Sequence, residues 1–181
     1  ILILIPIIFF SHQIYSKKAK ENLASKYNSA VINYEVGDNS NVIDIMKEII
    51  HEKDKTYSPL ALYFLIDNNV PVSNEEINKF FDILINNINL DKEIKYLVIY
   101  KKGLFNAEFE NENNLITILN PVINSESVWK SHALYLMAEY FLHKNQKQKA
   151  KEFYNQILNY KKSNANILKE TRKRLNRDFS E

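Results

Sequence analysis

Apolar positions recur at helical spacing along most of the chain. The run from Ala133 to Leu142 reads A-L-Y-L-M-A-E-Y-F-L, and a polar turn over 143–147 follows it. After the turn, apolar side chains return three and four positions apart, at Ala150, Tyr154 and Ile157. Such spacing places side chains on one face of a helix. We therefore predict two amphipathic helices joined by a short turn, which is an αα-hairpin.

A spacing of twelve residues between two facing positions of such a hairpin occurs four times. The pairs, which we predict to pack against each other, are Ala30 and Val42, Leu65 and Ile77, Gly103 and Leu115, and Ala138 and Ala150. Successive pairs begin at intervals close to the period of about 34 residues of tetratricopeptide repeats, whose unit is a helix hairpin. The chain is therefore predicted to be an all-α, tetratricopeptide-like solenoid, with units over about 23–55, 58–90, 92–124 and 128–160.

Residues that typically begin or end helices occur at positions that agree with these repeat units. Ser58 followed by Pro59 predicts an N-cap with proline at the first helical position. Ser73 followed by Glu76 three residues later predicts a capping box. Pro121 is expected to end or kink the helix that precedes it.

Two further segments complete the helical prediction. The segment 95–104 is rich in Tyr, Val and Ile, so a strand is conceivable there, but the repeat favours a helix. A last helix over 163–179, starting at Ser163 or Asn164, would have one apolar stripe and a charged outer face. The open end of a solenoid needs a helix of this kind for solubility.

The beginning of the chain is apolar from Ile1 to Phe10, interrupted only by Pro6. A bilayer-spanning helix needs about 20 residues. The run is therefore either a buried core segment or signal-peptide remnant, or the trailing half of a transmembrane helix. Polar and aromatic residues over 11–15, followed by lysines, resemble a membrane interface and favour the second interpretation. We predict the end of a transmembrane anchor over 1–15 and the repeat domain over 16–181.

The low glycine content and the absence of cysteine argue against several classes of fold and functional site. The 181 residues include 2 Gly and no Cys. Phosphate-binding loops and turn-dense β folds depend on glycine, so the sequence argues against both. Without cysteine there are no disulfides, thiol catalysis or cysteine-ligated zinc.

Charge is uneven along the chain. The formal net charge is +2, too small to suggest a nucleic-acid-binding protein by itself. From Lys144 onward, however, eleven basic side chains face four acidic ones. This end is either a solvated helix face or a surface for anionic lipid, nucleic acid or an acidic partner.

No catalytic or metal-binding pattern is evident. The four histidines, at 12, 51, 132 and 143, form no i, i+4 pair, and none of the usual nucleophile or phosphate motifs occurs. Glu75 and Glu76 suit the first turn of a helix, where acids are favoured. We predict no catalytic residue, no metal and no cofactor, and hence a protein that is not an enzyme.

Tyrosines are the candidate binding residues. The repeat register places Tyr27, Tyr100 and Tyr135 at equivalent positions on the first helix of their hairpins, with Tyr34 about two turns beyond Tyr27. Tyrosine presents a rigid ring and a polar hydroxyl, which suits partner recognition. The alternative is that these rings pack between neighbouring helices.

The last unit carries residues typical of tetratricopeptide repeats at the expected mutual spacings, namely Leu134, Met137, Ala138, Phe141, Ala150 and Tyr154. Asn145 stands at its turn, where glycine is usual. With the apolar beginning, the lysine-rich segment, the stretch 128–133 and the basic last helix, the chain resembles the tetratricopeptide-like ancillary subunit of the bacterial SecYEG translocon. The resemblance implies a single-pass inner-membrane protein with a periplasmic repeat domain. It also implies SecYEG translocon components or periplasmic chaperones as partners.

Our leading hypothesis is a membrane-anchored, non-enzymatic protein–protein interaction module connected with protein export. One alternative is a soluble tetratricopeptide adaptor or regulator in which residues 1–10 are a buried helix. Another is binding to an anionic surface or nucleic acid through the basic last helix, although overall charge makes nucleic acid the less favoured partner.

Overall fold

In the computed structural model, residues 4–179 are described, with side chains from residue 14 onward except residue 16. This part of the chain is all-α, as predicted, and contains no strand. Its helices are α1 Leu4–Glu35, α2 Val42–His51, α3 Tyr57–Asp67, α4 Asn74–Asn87, α5 Lys92–Asn106, α6 Glu112–Ile123, α7 Lys130–His143, α8 Lys147–Asn159 and α9 Ala165–Asp178. The segment for which a strand was conceivable lies within α5 and is helical.

The chain divides into two compact units, Ile1–Asn89 and Leu90–Glu181. In the first unit, α1 contacts α2 and α3, α2 contacts α3 and α4, and α3 contacts α4. Each helix thus packs on its successor and on the next helix but one where the unit provides it. This is the contact pattern of two stacked helix hairpins, α1–α2 and α3–α4.

The second unit repeats most of this contact pattern, without the contact between the two second helices, and has one more helix. The hairpins α5–α6 and α7–α8 pack through α6 on α7 and through α5 on α7. Helix α9 packs on both α7 and α8, in the place that the first helix of a further hairpin would occupy. The last hairpin therefore has its apolar side covered.

The eight residues of the predicted packing pairs all lie in the cores of their units. The buried set is Ala30, Val42, Leu65, Ile77, Gly103, Leu115, Ala138 and Ala150. The side chain against Gly103 is that of Leu119, which lies one helical turn beyond Leu115 on α6.

The start of α4 confirms Ser73 as the N-cap but not the reciprocal bond from Glu76 that a capping box would have. Ser73 is the N-cap, in extended conformation, and its hydroxyl accepts a hydrogen bond from the backbone N–H of Glu76 at 3.2 Å. The Glu76 carboxylate pairs with Lys47 of α2, 2.8 Å away. This cap therefore also connects α4 to α2.

The start of α3 differs from the prediction that Ser58 is an N-cap. The helix begins at Tyr57, and an oxygen of Asp54 accepts hydrogen bonds from the N–H groups of Thr56 and Tyr57, each at 2.8 Å. Ser58 is instead buried, and its hydroxyl donates to the carbonyl of Ile49 at 2.8 Å. The prediction was wrong because an earlier carboxylate satisfies the free N–H groups and leaves the serine to bond α2.

Pro121 does not end α6, since the helix continues to Ile123, so the first alternative of the prediction was wrong. A proline near the C-terminus of a helix removes one backbone hydrogen bond and leaves the following turn able to form. The last turn is held by Leu119 and Val122, both fully buried. Packing therefore outweighs the local break signal.

The inter-helix turns use left-handed backbone at a few positions. Gly37, after α1, has φ of 85°, and Asn145, in the turn between α7 and α8, has φ of 59°. Asparagine tolerates this conformation better than most residues. Asn145 thus takes the role that glycine has in other repeats.

Helix α1 extends well beyond the hairpin that it belongs to. Its described side chains from Ile14 to Asn22 are exposed, and core packing begins near Leu23. Among the described residues, no helix is both long and apolar enough to cross a bilayer. The side chains of 1–13, which make up most of the predicted anchor, lie outside the described residues.

Candidate partner-binding surfaces

In the first unit, the candidate tyrosines of α1 contact aromatic rings of α3. The ring centroids of Tyr27 and Tyr57 are 5.9 Å apart, and those of Tyr34 and Phe64 are 5.1 Å apart in an edge-to-face arrangement. Both tyrosines remain partly exposed. They therefore join the first helices of two successive hairpins and leave part of each ring to solvent.

A small depression lies beside Tyr34, between the turn after α1 and the turn after α3. Its volume is about 290 Å³, and Tyr34, Val42, Asn68, Val70 and Pro71 contribute to its lining. Apolar and amide groups meet there without a charged side chain. This depression can accommodate a single side chain of a partner.

In the second unit, Tyr100 lies in a cluster of three rings. Its ring stacks on that of Trp129 with centroids 5.9 Å apart and planes 17° apart, and His132 lies 5.2 Å from Trp129 and 5.8 Å from Tyr100. The tyrosine comes from α5, and the other two rings come from the start of α7. Again an aromatic contact joins the first helices of successive hairpins.

His132 has an unusual environment within this cluster. Its Nδ1 atom is buried and has no hydrogen-bond partner among the described residues. Burial lowers the pKa of the imidazole below its ordinary value, and a backbone hydrogen bond with Val128 partly opposes this. The neutral ring is therefore the form that the folded protein favours.

Tyr135 lies beside an ionic network that fastens α9 to the last hairpin. The Glu139 carboxylate accepts hydrogen bonds from the hydroxyl of Tyr154 and from the guanidinium of Arg174. Arg174 also pairs with Asp178, 3.5 Å away. Helices α7, α8 and α9 thus meet at one carboxylate.

The electrostatics of this network follow from burial and from the shared carboxylate. Tyr154 is fully buried, and burial followed by its bond to Glu139 raises the pKa of its hydroxyl strongly. Burial also raises the pKa of Tyr135, while Arg174 opposes the shift. Both phenols therefore stay neutral and act as hydrogen-bonding groups.

The outer face of α9 is basic. Lys169, Lys173 and Arg177 follow one another at intervals of four residues, and Arg172 lies beside this row. All four are exposed. Between the row and α7 lies a depression of about 670 Å³, lined by Tyr135, Glu170, Lys173, Arg174, Asn176 and Arg177.

In the described part of the chain, no three His, Asp or Glu side chains lie together in a way that could hold a metal ion. His132 and His143 lie near opposite ends of α7. Glu75 lies in the first turn of α4 and pairs with Lys79 at 2.7 Å. That contact lowers the pKa of the Glu75 carboxyl, the hydrogen bond contributing most.

Sequence reasoning did not find the Glu139 network or the ring cluster. One signal for the network was present, because Glu139 is the one charged residue in the apolar run over 133–142. An acid on such a helix needs a buried partner. Its partner Arg174 is 35 residues away, so only the packing of α9 on α7 identifies it.

Comparison with known proteins gives no match to a protein-family model and no significant match to a curated protein or a solved structure. The resemblance to the translocon subunit thus has no support from relatives. It stays a prediction based on the residues of the last repeat and the order of segments.

Proposed function

We propose that this chain is a non-enzymatic protein–protein interaction module built from tetratricopeptide-like hairpins. The observation that carries the proposal is the recurring contact between first helices of successive hairpins. Aromatic rings make this contact in both units, through Tyr34 on Phe64 and Tyr100 on Trp129. Within each unit, the two neighbouring first helices offer one surface to a partner, as first helices do in α-solenoids.

The candidate tyrosines would then have two roles. The ring faces of Tyr27, Tyr34 and Tyr100 contact the next hairpin, whereas the ring of Tyr135 contacts Tyr154 of its own hairpin. The exposed parts of these rings are available to a partner. Rigid aromatic side chains of this kind are common anchors in protein interfaces. In the proposed module, Tyr27, Tyr34, Tyr100 and Tyr135 contact the partner only with the parts that helix packing leaves free.

We further propose that the module is held at a membrane through the segment 1–15, with the repeat domain on the periplasmic side of a bacterial inner membrane. The apolar composition of that segment supports this, as does the exposed stretch of α1 that separates it from the first hairpin. SecYEG translocon components and periplasmic chaperones are the proposed partners. No cofactor is needed for such a role.

Site-specific photocrosslinking in native membranes tests the proposal. A photoreactive residue at Leu104, which is 50% exposed on the first helix α5, is compared with one at Leu158, which is 39% exposed on the second helix α8. We expect crosslinks to export-channel or envelope-chaperone components from Leu104 and few from Leu158. Crosslinks to cytosolic proteins alone would reject the export role, and equal yields would reject the first-helix surface.

Fractionation distinguishes the soluble adaptor from the anchored module. A chain anchored through 1–15 stays with the membrane fraction after a high-salt wash, whereas a chain bound only by charge is released. Deleting residues 1–10 should release the anchored protein. If the unaltered chain is already found in the soluble fraction, the anchor proposal is rejected and the interaction module can still stand.

A further inference from the structure

We propose that the basic row of α9 and the depression beside it bind an extended acidic peptide segment of a partner protein. The row consists of Lys169, Lys173 and Arg177, and the depression separates it from Tyr135 of α7. The inference rests on the proposed function as an interaction module and names the chemistry of one partner.

The row presents cations that are not all committed to internal pairs. Within the described part of the chain Lys169 forms no ion pair, whereas Arg177 pairs with the partly buried Asp178, 2.6 Å away. Lys173 pairs with Glu170 three residues away, with both side chains about half exposed. Exposed pairs of this kind contribute little, so a partner's carboxylate can replace Glu170 at small cost.

Arg174, in contrast, is committed to the fold. It bonds to Glu139 and is less exposed than the cations of the row. Its role is to fix α9 on α7, which gives the row and the depression a defined geometry. A fixed row loses less conformational freedom on binding than a mobile tail would.

The spacing of the row matches an extended peptide. Residues four apart on a helix are separated by about 6 Å along the axis. Alternate side chains of an extended strand, which lie on the same side, are separated by about 6.6 Å. A segment with acidic residues at every second position can therefore place successive carboxylates near Lys169, Lys173 and Arg177.

The depression provides contacts that a flat anionic surface would not use. Tyr135 lines it beside the cations and offers part of its ring to a peptide, while its hydroxyl is engaged with Arg174. Charge at longer range also favours a short ligand. Residues 90–143, the rest of the second unit, carry five basic and seven acidic side chains, a net charge of −2, which disfavours a polyanion much larger than the depression.

Fluorescence anisotropy with the purified full chain tests the inference. The probe is a labelled synthetic peptide of about a dozen residues in which Glu and Ser alternate. Its controls are the same peptide with Gln in place of Glu, and a peptide of equal composition with all Glu in one block. We expect binding at low salt that weakens as salt rises, with the alternating peptide bound more tightly than the block peptide and no binding of the Gln peptide.

Two triple variants with the same change in charge locate the site. Lys169→Gln with Lys173→Gln and Arg177→Gln removes the row, whereas Lys147→Gln with Lys151→Gln and Lys161→Gln removes exposed cations elsewhere in the basic end. We expect the first variant to bind the alternating peptide about tenfold more weakly and the second to differ by less than about threefold. Circular dichroism and thermal unfolding establish that both are folded.

Several results would overturn the inference. Equal losses in the two variants would indicate unspecific charge attraction, and equal affinity for the alternating and block peptides would remove the spacing argument. Tighter binding to phosphatidylglycerol vesicles or single-stranded DNA than to the peptide would identify another partner class. If the row variant does not fold, the peptide comparison on the unaltered chain still decides. Crosslinking from Leu104 is independent of all these measurements, so the interaction module can survive their failure.

Discussion

A β-carbon added to Gly103 would lie 2.8 Å from Cγ of Leu119. Real β-carbons do not approach another heavy atom this closely, so α5 and α6 meet at a distance that only glycine permits. Leu119 is fully buried and cannot turn away into solvent. One of the two glycines of the chain is therefore fixed by helix packing within a hairpin.

Replacing this glycine by alanine should lower stability. A mid-helix Gly→Ala change normally stabilises by about 1 kcal/mol. Here the added methyl group overpacks the core, at a cost of about 1–3 kcal/mol, so we expect a net loss of about 1 kcal/mol for Gly103→Ala. Denaturant unfolding measures it. In a Leu119→Ala background the clash is absent and the same change should stabilise; stabilisation in both backgrounds would contradict the close approach.

Substitution by aspartate should be tolerated at Ser73 and should destabilise the protein at Ser58. Aspartate and serine are about equally good N-caps, so Ser73→Asp should change the free energy of unfolding by less than about 0.5 kcal/mol. Ser58→Asp places a carboxylate in the core and removes the hydroxyl donor to Ile49, so we expect a loss of more than about 2 kcal/mol. Thermal or denaturant unfolding of both variants compares them. If both aspartate variants are as stable as the unaltered protein, Ser58 acts as an N-cap and not as a buried donor.

The bond between Arg174 and Glu139 should hold α9 in place. Arg174→Met keeps much of the side-chain volume and removes the charge, leaving the partly buried Glu139 carboxylate without its cation and with the Tyr154 hydroxyl as its donor. We expect a loss of about 1–3 kcal/mol and faster amide hydrogen exchange in α9. Arg172→Met is the matched control, because Arg172 is exposed and has no ion pair in the described part of the chain. Similar effects in both variants would show that the network does not fasten α9.

His132 should make the second unit sensitive to mild acid. Because burial lowers the pKa of this imidazole, the folded state disfavours its protonated form. The stability contribution is complete above the ordinary value of 6.5 and is lost as pH falls through the lowered pKa. We expect the midpoint of denaturant unfolding to decrease as the pH is lowered from 7.5 to 5. The decrease should be smaller in His132→Phe.

The single Trp129 reports this transition, since His132 lies 5.2 Å from its ring. Protonation of His132 should change tryptophan fluorescence over the same pH range. His143→Phe, at the other end of α7, is the control and should keep the wild-type pH dependence. Measurements stay above pH 5 so that carboxyls with lowered pKa, such as Asp178, remain ionised. An unchanged pH dependence in His132→Phe would assign the effect to other groups.

The positions of the helices follow largely from local pattern. Apolar spacing and polar turns indicated the hairpins because each helix must bury one face, and that requirement is already present in the linear sequence. The N-cap at Ser73 and the left-handed backbone at Asn145 are local as well, since each depends on residues within one turn. Such features depend little on how the hairpins pack.

The partners of Gly103 and Ser58 on other helices could be identified only from the tertiary structure. Pattern alone paired Gly103 with Leu115, and both are buried, but only the packing shows that the side chain of Leu119 lies against Gly103. Ser58 resembles a cap in sequence, and only the neighbouring carbonyl of Ile49 shows that it is a buried donor. In both cases, the deciding partner lies on another helix.

For the candidate binding surfaces, too, the sequence predicted part of the answer and the packing of the helices decided the rest. The sequence by itself determined that the chain is helical, that tyrosines recur on first helices, and that its last 38 residues are basic. The tertiary structure decided which faces of those rings are free, and that Arg174 is bound internally while Lys169, Lys173 and Arg177 form an outward row. Composition and periodicity report which groups a segment contains. Which of those groups remain available to a partner depends on contacts between residues distant in the chain, and these exist only after the helices have packed.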